Sequence, residues 1–260
     1  MSSFFNTNCF LTTRFVAIDS QGRTIVSDYT TKTVWVIAPD GMSTRMLLGH
    51  FNFPEGIAVD SKDRIIVADR MSHCVSVYDP LSLVELFSFG RKGVSHGRFN
   101  EPMGVAVDTD DNIYVADSGN HRVQIFDRTG AFRETFGDEG TAPTEFRTPS
   151  GIAVDRHGHV FVAESLGNRV QVFDNDRTRT LHVFPNLRSP HDVALDANGH
   201  VYVTELGNCA YKVFAPDTTA PHTTRRTEQR TTGIAVTADR VVVCAGMCLK
   251  TEVLPANKLE

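Results

Sequence analysis

The 260-residue chain has no apolar run approaching the ~20 residues that a membrane helix needs. Its first residues lack a basic start followed by a long apolar core, so no secretory leader is read there. Its five cysteines are an odd number and include no C-x-x-C pair. That argues against a disulfide framework and against a zinc site of that kind, and it favours reduced thiols in a cytoplasmic protein. Positive charge is in deficit as well: 26 Lys and Arg stand against 31 Asp and Glu, a formal net charge of −5. The molecule as a whole is therefore no nucleic-acid sponge, and double-stranded DNA and membranes are not expected partners. Charge on one face has to be read separately from the total. No phosphate-binding loop of the Gly-x-x-x-x-Gly-Lys type is present.

What the chain does have is a phrase written six times. The clearest copies are EPMGVAVD, ending at Asp108, and TPSGIAVD, ending at Asp155. A third, FPEGIAVD, ends at Asp60, and weaker copies end at Asp19, Asp196 and Thr237. The closing positions 19, 60, 108, 155, 196 and 237 differ by 41, 48, 47, 41 and 41. A period in the forties built of short β runs marks a propeller blade.

Each unit has one internal order. An apolar run is followed by a turn rich in Asp, Asn and Gly, and then by a second run such as Ile113-Tyr114-Val115-Ala116-Asp117. A polar turn leads to an alternating run, Arg122 to Asp127, and a weaker fourth run closes the unit. Alternation with frequent turn residues means antiparallel strands. The first two runs are almost wholly apolar, as strands buried on both faces must be. Such a sheet buries its faces only against neighbouring copies. At 41% hydrophobic residues, one domain over 1–260 is expected. The expected fold class is all-β: a six-bladed propeller of four-stranded antiparallel blades, with cores near 15–48, 56–89, 104–136, 151–184, 192–230 and 233–255. Residues 4–11 are expected to supply the last strand of the last blade and lock the ring. Residues 218–230 are polar and are expected to form a loop with an irregular edge strand. Leu259-Glu260 fits a cloning remnant and Met1 an added start, which would make the chain a piece of a longer protein.

The signature Pro-x-Gly-(Val/Ile)-Ala-Val-Asp, (Ile/Val)-Tyr-Val-Ala-Asp, Asn-His-Arg-Val-Gln-(Ile/Val)-Phe resembles the NHL repeat family, and residues 102–127 match it almost letter for letter. The connector Gly90 to Phe99 looks like those of tripartite-motif NHL proteins. The resemblance implies a six-bladed propeller. It also implies one of three tasks: binding single-stranded RNA, binding proteins, or, in one branch, metal-dependent lyase chemistry. In that branch histidines just after the Pro of several units hold zinc. The matching positions here are Glu55, Met103, Ser150, His191 and Thr232, of which only His191 fits, with Glu55 as a conceivable second ligand. Zinc catalysis needs three protein ligands. No catalysis, no cofactor and no metal are therefore expected.

A second acidic series, Asp28, Asp69, Asp117, Glu164 and Glu205, ends the second run of five units. It invites a calcium or lactonase reading. Repetition in nearly every unit argues for scaffold, with each acid capping backbone N–H groups of the following turn and pairing with the next Arg. The connectors entering each first strand carry Arg14, Arg98, Arg147, Arg188 and Arg230, with Arg70 and His191 nearby. Cations at one position in successive blades make a rim that a phosphate chain could follow. Phe51, Phe53, Phe99 and Phe146 lie beside them, with Phe99 and Phe146 expected in the core. The expected ligand-binding face is Arg14, Arg70, Arg98, Arg147, Arg188, Arg230 and His191. Its expected partner is single-stranded RNA or, alternatively, a protein of the kind a tripartite-motif ubiquitin ligase recognises. The isolated domain is expected to be a monomer.

Overall fold

The computed structural model describes residues 3–5, 12–47, 49–216, 218–246 and 248–253. They form six antiparallel sheets of four strands each. Blades 1 to 5 span residues 13–46, 54–89, 102–136, 149–184 and 190–226. Blade 6 takes Thr231–Val236, Arg240–Ala245 and Cys248–Val253, and its fourth strand is Ser3–Phe5. Ser3 lies opposite Thr251 and Phe5 opposite Leu249, so the first and last described strands share one sheet. Residues 6–11 of the expected closing segment lie outside the described ones.

The first strands of successive blades pack around a common axis. The second strands are buried along their whole length in blades 1 to 5, which is why they read as unbroken apolar runs. The core is divided into slabs, each shared by two neighbouring blades. Ile66, Val75 and Val77 of blade 2 pack with Phe99, Val105 and Phe126 of the next repeat, and Ala106 and Tyr114 of blade 3 with Ile152 and Phe173 of blade 4. No blade buries its faces alone, and the repeat is stable only within the ring.

Residues 218–230 are more regular than their composition suggests. Thr223–Arg226 forms the outer strand of blade 5, with Val213 opposite Thr223 and Ala210 opposite Arg226. A polar edge strand needs only the backbone ladder, and its arginines discourage further pairing.

Candidate ligand-binding face and central channel

Two sets of loops emerge at one end of the ring. They are the entry connectors, which lead into each first strand, and the turns between second and third strands. The acidic series holds them together. Asp69 accepts the N–H groups of Asn52 (2.7 Å) and Phe53 (2.8 Å), Asp117 that of Asn100 (2.7 Å), Glu164 that of Arg147 (2.9 Å) and Glu205 that of Arg188 (2.7 Å). Cations on the third strands complete the network: Arg122 reaches Asp117 (2.8 Å), Arg169 reaches Glu164 (2.5 Å) and Lys212 reaches Glu205 (3.2 Å). The scaffold reading is thus correct in kind. Its main partner is the entry connector rather than the following turn alone, a contact that only the folded blade brings about.

A second latch crosses between blades. Glu101, Thr148 and Ser189 are left-handed, with φ of 53°, 57° and 49°. Their N–H groups donate to His73 Nδ1 (3.0 Å), His121 Nδ1 (3.3 Å) and Asn168 Oδ1 (2.9 Å) of the preceding blade. These bonds hold a backbone conformation that non-glycine residues seldom adopt.

The predicted face residues divide into three groups. Arg14 is gripped by Glu55 in a two-pronged pair, Nε to Oε2 and Nη2 to Oε1, each at 3.0 Å. Its guanidinium also lies 5.4 Å over the Tyr29 ring, which in turn packs on Phe53 at 5.2 Å. Arg70 is paired with the carboxylate of Glu101. Arg98 is half-buried, while Arg147, Arg188 and Arg230 are exposed, and among the described residues no carboxylate engages any of the four. His191 is not on the face at all. It is 1% exposed, in the wall of the channel. Phe99 and Phe146 are fully buried against Phe126 (5.4 Å) and Phe173 (5.4 Å), so neither ring is offered to a ligand.

The channel is lined by the second residue of each first strand: Arg14, Glu55, Met103, Ser150, His191 and Thr232. The third residue is Gly56, Gly104, Gly151 and Gly233 in four blades, where first strands approach so closely that a Cβ on Gly104 would stand 2.2 Å from the Ser150 carbonyl oxygen. Blades 1 and 5 break the rule with Phe15 and Asp192. The Asp192 carboxylate accepts N–H groups from Val193 (2.9 Å) and from Ile234 of blade 6 (3.0 Å). Burial, only partly offset by those bonds, pushes its pKa up to about 7. His191 Nδ1 donates to the Thr232 carbonyl at 3.3 Å, and Nε2 has no partner among the described residues. Burial first, then the charges of Arg14 and Arg70, push its pKa down to about 3, so the ring is neutral. Sequence reading passed over Tyr29 and Asp192. Asp192 carried a signal, because it interrupts a glycine column.

The channel residues do not fit a zinc ion. Glu55 is committed to Arg14, Ser150 Oγ donates to the carbonyls of Ala163 and Pro190, and Thr232 Oγ1 donates to that of Thr13. Among the described residues no three of His, Cys, Asp and Glu are grouped to hold a metal. The letters Gly-Val-Ser-His-Gly at 93–97 spell a nucleophile elbow, but Ser95 lies on an exposed connector with no strand-to-helix turn.

Four segments, 51–78, 99–126, 146–173 and 187–214, match the NHL repeat. No curated protein matches the sequence significantly. Solved structures share the ring. A gluconolactonase from Xanthomonas campestris is similar at 17% identity and a TM-score of 0.77, over 95% of this chain and 87% of that one. A catalytically inactive virginiamycin B lyase from Staphylococcus aureus is similar at 14% identity and 0.69, over 95% and 82%. A streptogramin B lyase is similar at 12% identity and 0.71, over 98% of each chain. At such identities the likeness is one of fold. It nevertheless corrects the expectation of no catalysis: enzymes are built on this ring, so the ring gives no ground for excluding one. Among the described residues no helix is long and apolar enough to cross a membrane. Four matched repeats set in six blades of one design make the chain a six-bladed β-propeller that carries NHL repeats.

Proposed function

We propose that the entry face is a recognition surface for single-stranded RNA. One observation carries the reading. Arg98, Arg147, Arg188 and Arg230 occupy the same connector in blades 3, 4, 5 and 6, and none is neutralised by a carboxylate among the described residues. Arg91 and Lys92 add exposed charge in the connector before Arg98. The net charge of −5 overstates the acidity of the surface, because Asp28, Glu55, Asp69, Asp117, Glu164, Asp192 and Glu205 are buried. Successive phosphates would lie along the arginine arc, which gives affinity and register without base specificity. With Phe99 and Phe146 withdrawn, the aromatic platform left on this face is half-buried Tyr29 with Phe53. We place the protein in the cytoplasm, a reading supported by the free thiols of Cys74, Cys209 and Cys244. Selection from a random RNA pool tests the proposal. Enrichment of a short motif, abolished by Arg98→Glu with Arg147→Glu, supports it. A pool that stays random refutes it and leaves a protein partner for the same face.

A second reading rests on the channel. His191 with its unpartnered Nε2, the uncharged or part-charged Asp192 and the Arg14–Glu55 pair gather where the sixfold pattern breaks. Perturbed titratable groups brought together in this way are candidates for catalysis. The ring-sharing proteins suggest the substrates to try, a streptogramin B and a sugar lactone. Turnover of either, lost in His191→Ala, supports this reading, and inertness toward both removes it for those substrates.

A further inference from the structure

The end of the ring opposite the entry connectors carries ties between neighbouring blades. Ser20 Oγ donates to Asp63 (2.6 Å) and Arg23 to the Pro80 carbonyl (2.7 Å), joining blades 1 and 2. Ser61 Oγ donates to Asp111 (2.7 Å) between blades 2 and 3, and Arg177 pairs with Glu134 (2.6 Å) between blades 4 and 3. Between blades 5 and 6 the Tyr211 hydroxyl reaches down from the entry half of its strand to Glu252 (2.6 Å), and Arg240 reaches the Gly22 carbonyl (2.7 Å) between blades 6 and 1. Among the described residues, blades 4 and 5 have no such tie.

The sequence explains the gap. The aspartates that receive Ser20 and Ser61 are replaced by Gly158 and Gly199 in blades 4 and 5. Glu134, opposite Ile125 in blade 3, becomes His182, opposite Val172 in blade 4. The outer turn of blade 5, residues 215–222, contains no lysine or arginine to take the place of Arg177. His182 is left with its Nε2 unpartnered and its ring edge-on to Phe184 at 4.5 Å.

A cleft of about 780 Å³ opens at this gap. Phe161, Phe184, Leu195 and Val201 form its apolar wall. Phe161 stands where blades 3 and 5 have Tyr114 and Tyr202, whose hydroxyls bond to Asp108 (3.2 Å) and Asp196 (3.4 Å), so the aromatic wall here presents no hydroxyl. At the mouth, Asp155 is covered by His159 (2.9 Å) and Asp196 by His200 (2.8 Å). Arg156, also at the mouth, has no carboxylate partner among the described residues, and its Nε donates to His157 Nε2 (3.1 Å).

We propose that the cleft between blades 4 and 5 binds a small aromatic carboxylate, its ring against Phe161 and Phe184 and its carboxylate on Arg156. The volume falls in the ~300–1,000 Å³ of small-molecule sites, and an apolar wall with a few convergent polar groups is their usual composition. A guanidinium matches a carboxylate in geometry as well as charge. The site lies at the other end of the strands from the arginine arc, so it stands or falls separately from RNA recognition.

Calorimetric titration of the whole chain with 2-naphthoate and with its uncharged amide tests this. The expected result is saturable one-to-one binding of 2-naphthoate, about tenfold weaker binding of the amide, and a similar loss in Arg156→Ala. Ala197 lies at the exposed lip of the cleft, so Ala197→Trp closes the mouth without touching the core. It is expected to abolish binding while leaving the melting temperature unchanged. Absence of saturable binding, or binding undiminished in Ala197→Trp, overturns the site. Equal affinity for acid and amide overturns the carboxylate assignment.

Discussion

Replacing Arg147 and Arg188 together by alanine should change how RNA binding responds to salt, by an amount the structure sets. Both side chains are exposed and carry no carboxylate among the described residues, so each is available to one phosphate. With Arg98 and Arg230 the arc offers four contacts. Each phosphate neutralised on a single strand contributes about −0.7 to the slope of log affinity against log salt, giving about −2.8 for the intact arc. Between about 50 and about 200 mM salt the intact protein should lose roughly 50-fold in affinity, and the double variant, with a slope near −1.4, only about 7-fold. Fluorescence anisotropy of a labelled selected RNA, measured across that series, gives both slopes. The fold should be indifferent, because Glu164 and Glu205 bind the backbone N–H of these residues and not their guanidinium groups. A melting-temperature change within about 2 °C is expected for exposed substitutions in a domain of this size. Identical slopes in the two proteins, or affinity that ignores salt, would refute the arc as a phosphate track.

Three further outcomes test the scaffold beneath that face. Gly104→Ala puts a methyl group 2.2 Å from the Ser150 carbonyl oxygen, so urea unfolding should show a loss of at least about 2 kcal/mol, and unchanged stability would mean the first strands are more loosely packed than described. Arg14→Met strands the buried Glu55 carboxylate and should cost about 3 kcal/mol, whereas Arg14→Met with Glu55→Leu should recover most of it; equal losses in the two would place the cost in packing rather than charge. Asp192 and His191 should make opposite pH contributions. The raised pKa of Asp192 gives stability that is full below pH about 4 and is lost as pH climbs to about 7, while the lowered pKa of His191 gives stability that is present above about 6.5 and is lost as pH falls toward 3. Urea midpoints followed against pH should therefore rise with pH more steeply in Asp192→Asn than in the parent and fall more steeply in His191→Gln, and parallel profiles would count against both assignments.

Much of the ring was legible because strand pattern is local. Alternation, turn residues and a repeat in the forties can be read a few residues at a time, and the buried second strands appear as apolar runs in each copy. The role of the acidic series was legible in kind, since repetition in five blades argued for scaffold. Its main partners were not, because Glu164 and the Arg147 N–H, 17 positions apart, meet only when the two strands between them have paired. Thr223–Arg226 was obscured for a related reason: a polar edge strand is selected by its ladder and not by its side chains.

The six arginines and the one histidine of the expected face looked alike as letters. Arg14 and Glu55 are 41 residues apart, and His191 and Thr232 are equally distant, so their pairing depends on which blades become neighbours. The sequence by itself determined most of the strands, their order in each blade and the number of blades, because those follow from propensity and period along the chain. Only the tertiary structure decided which arginines remain unpaired, that His191 is sealed in the channel, and that a cleft opens where blades 4 and 5 lack a tie. Those outcomes are set by contacts across blade boundaries, where each side chain finds its partner or is left without one.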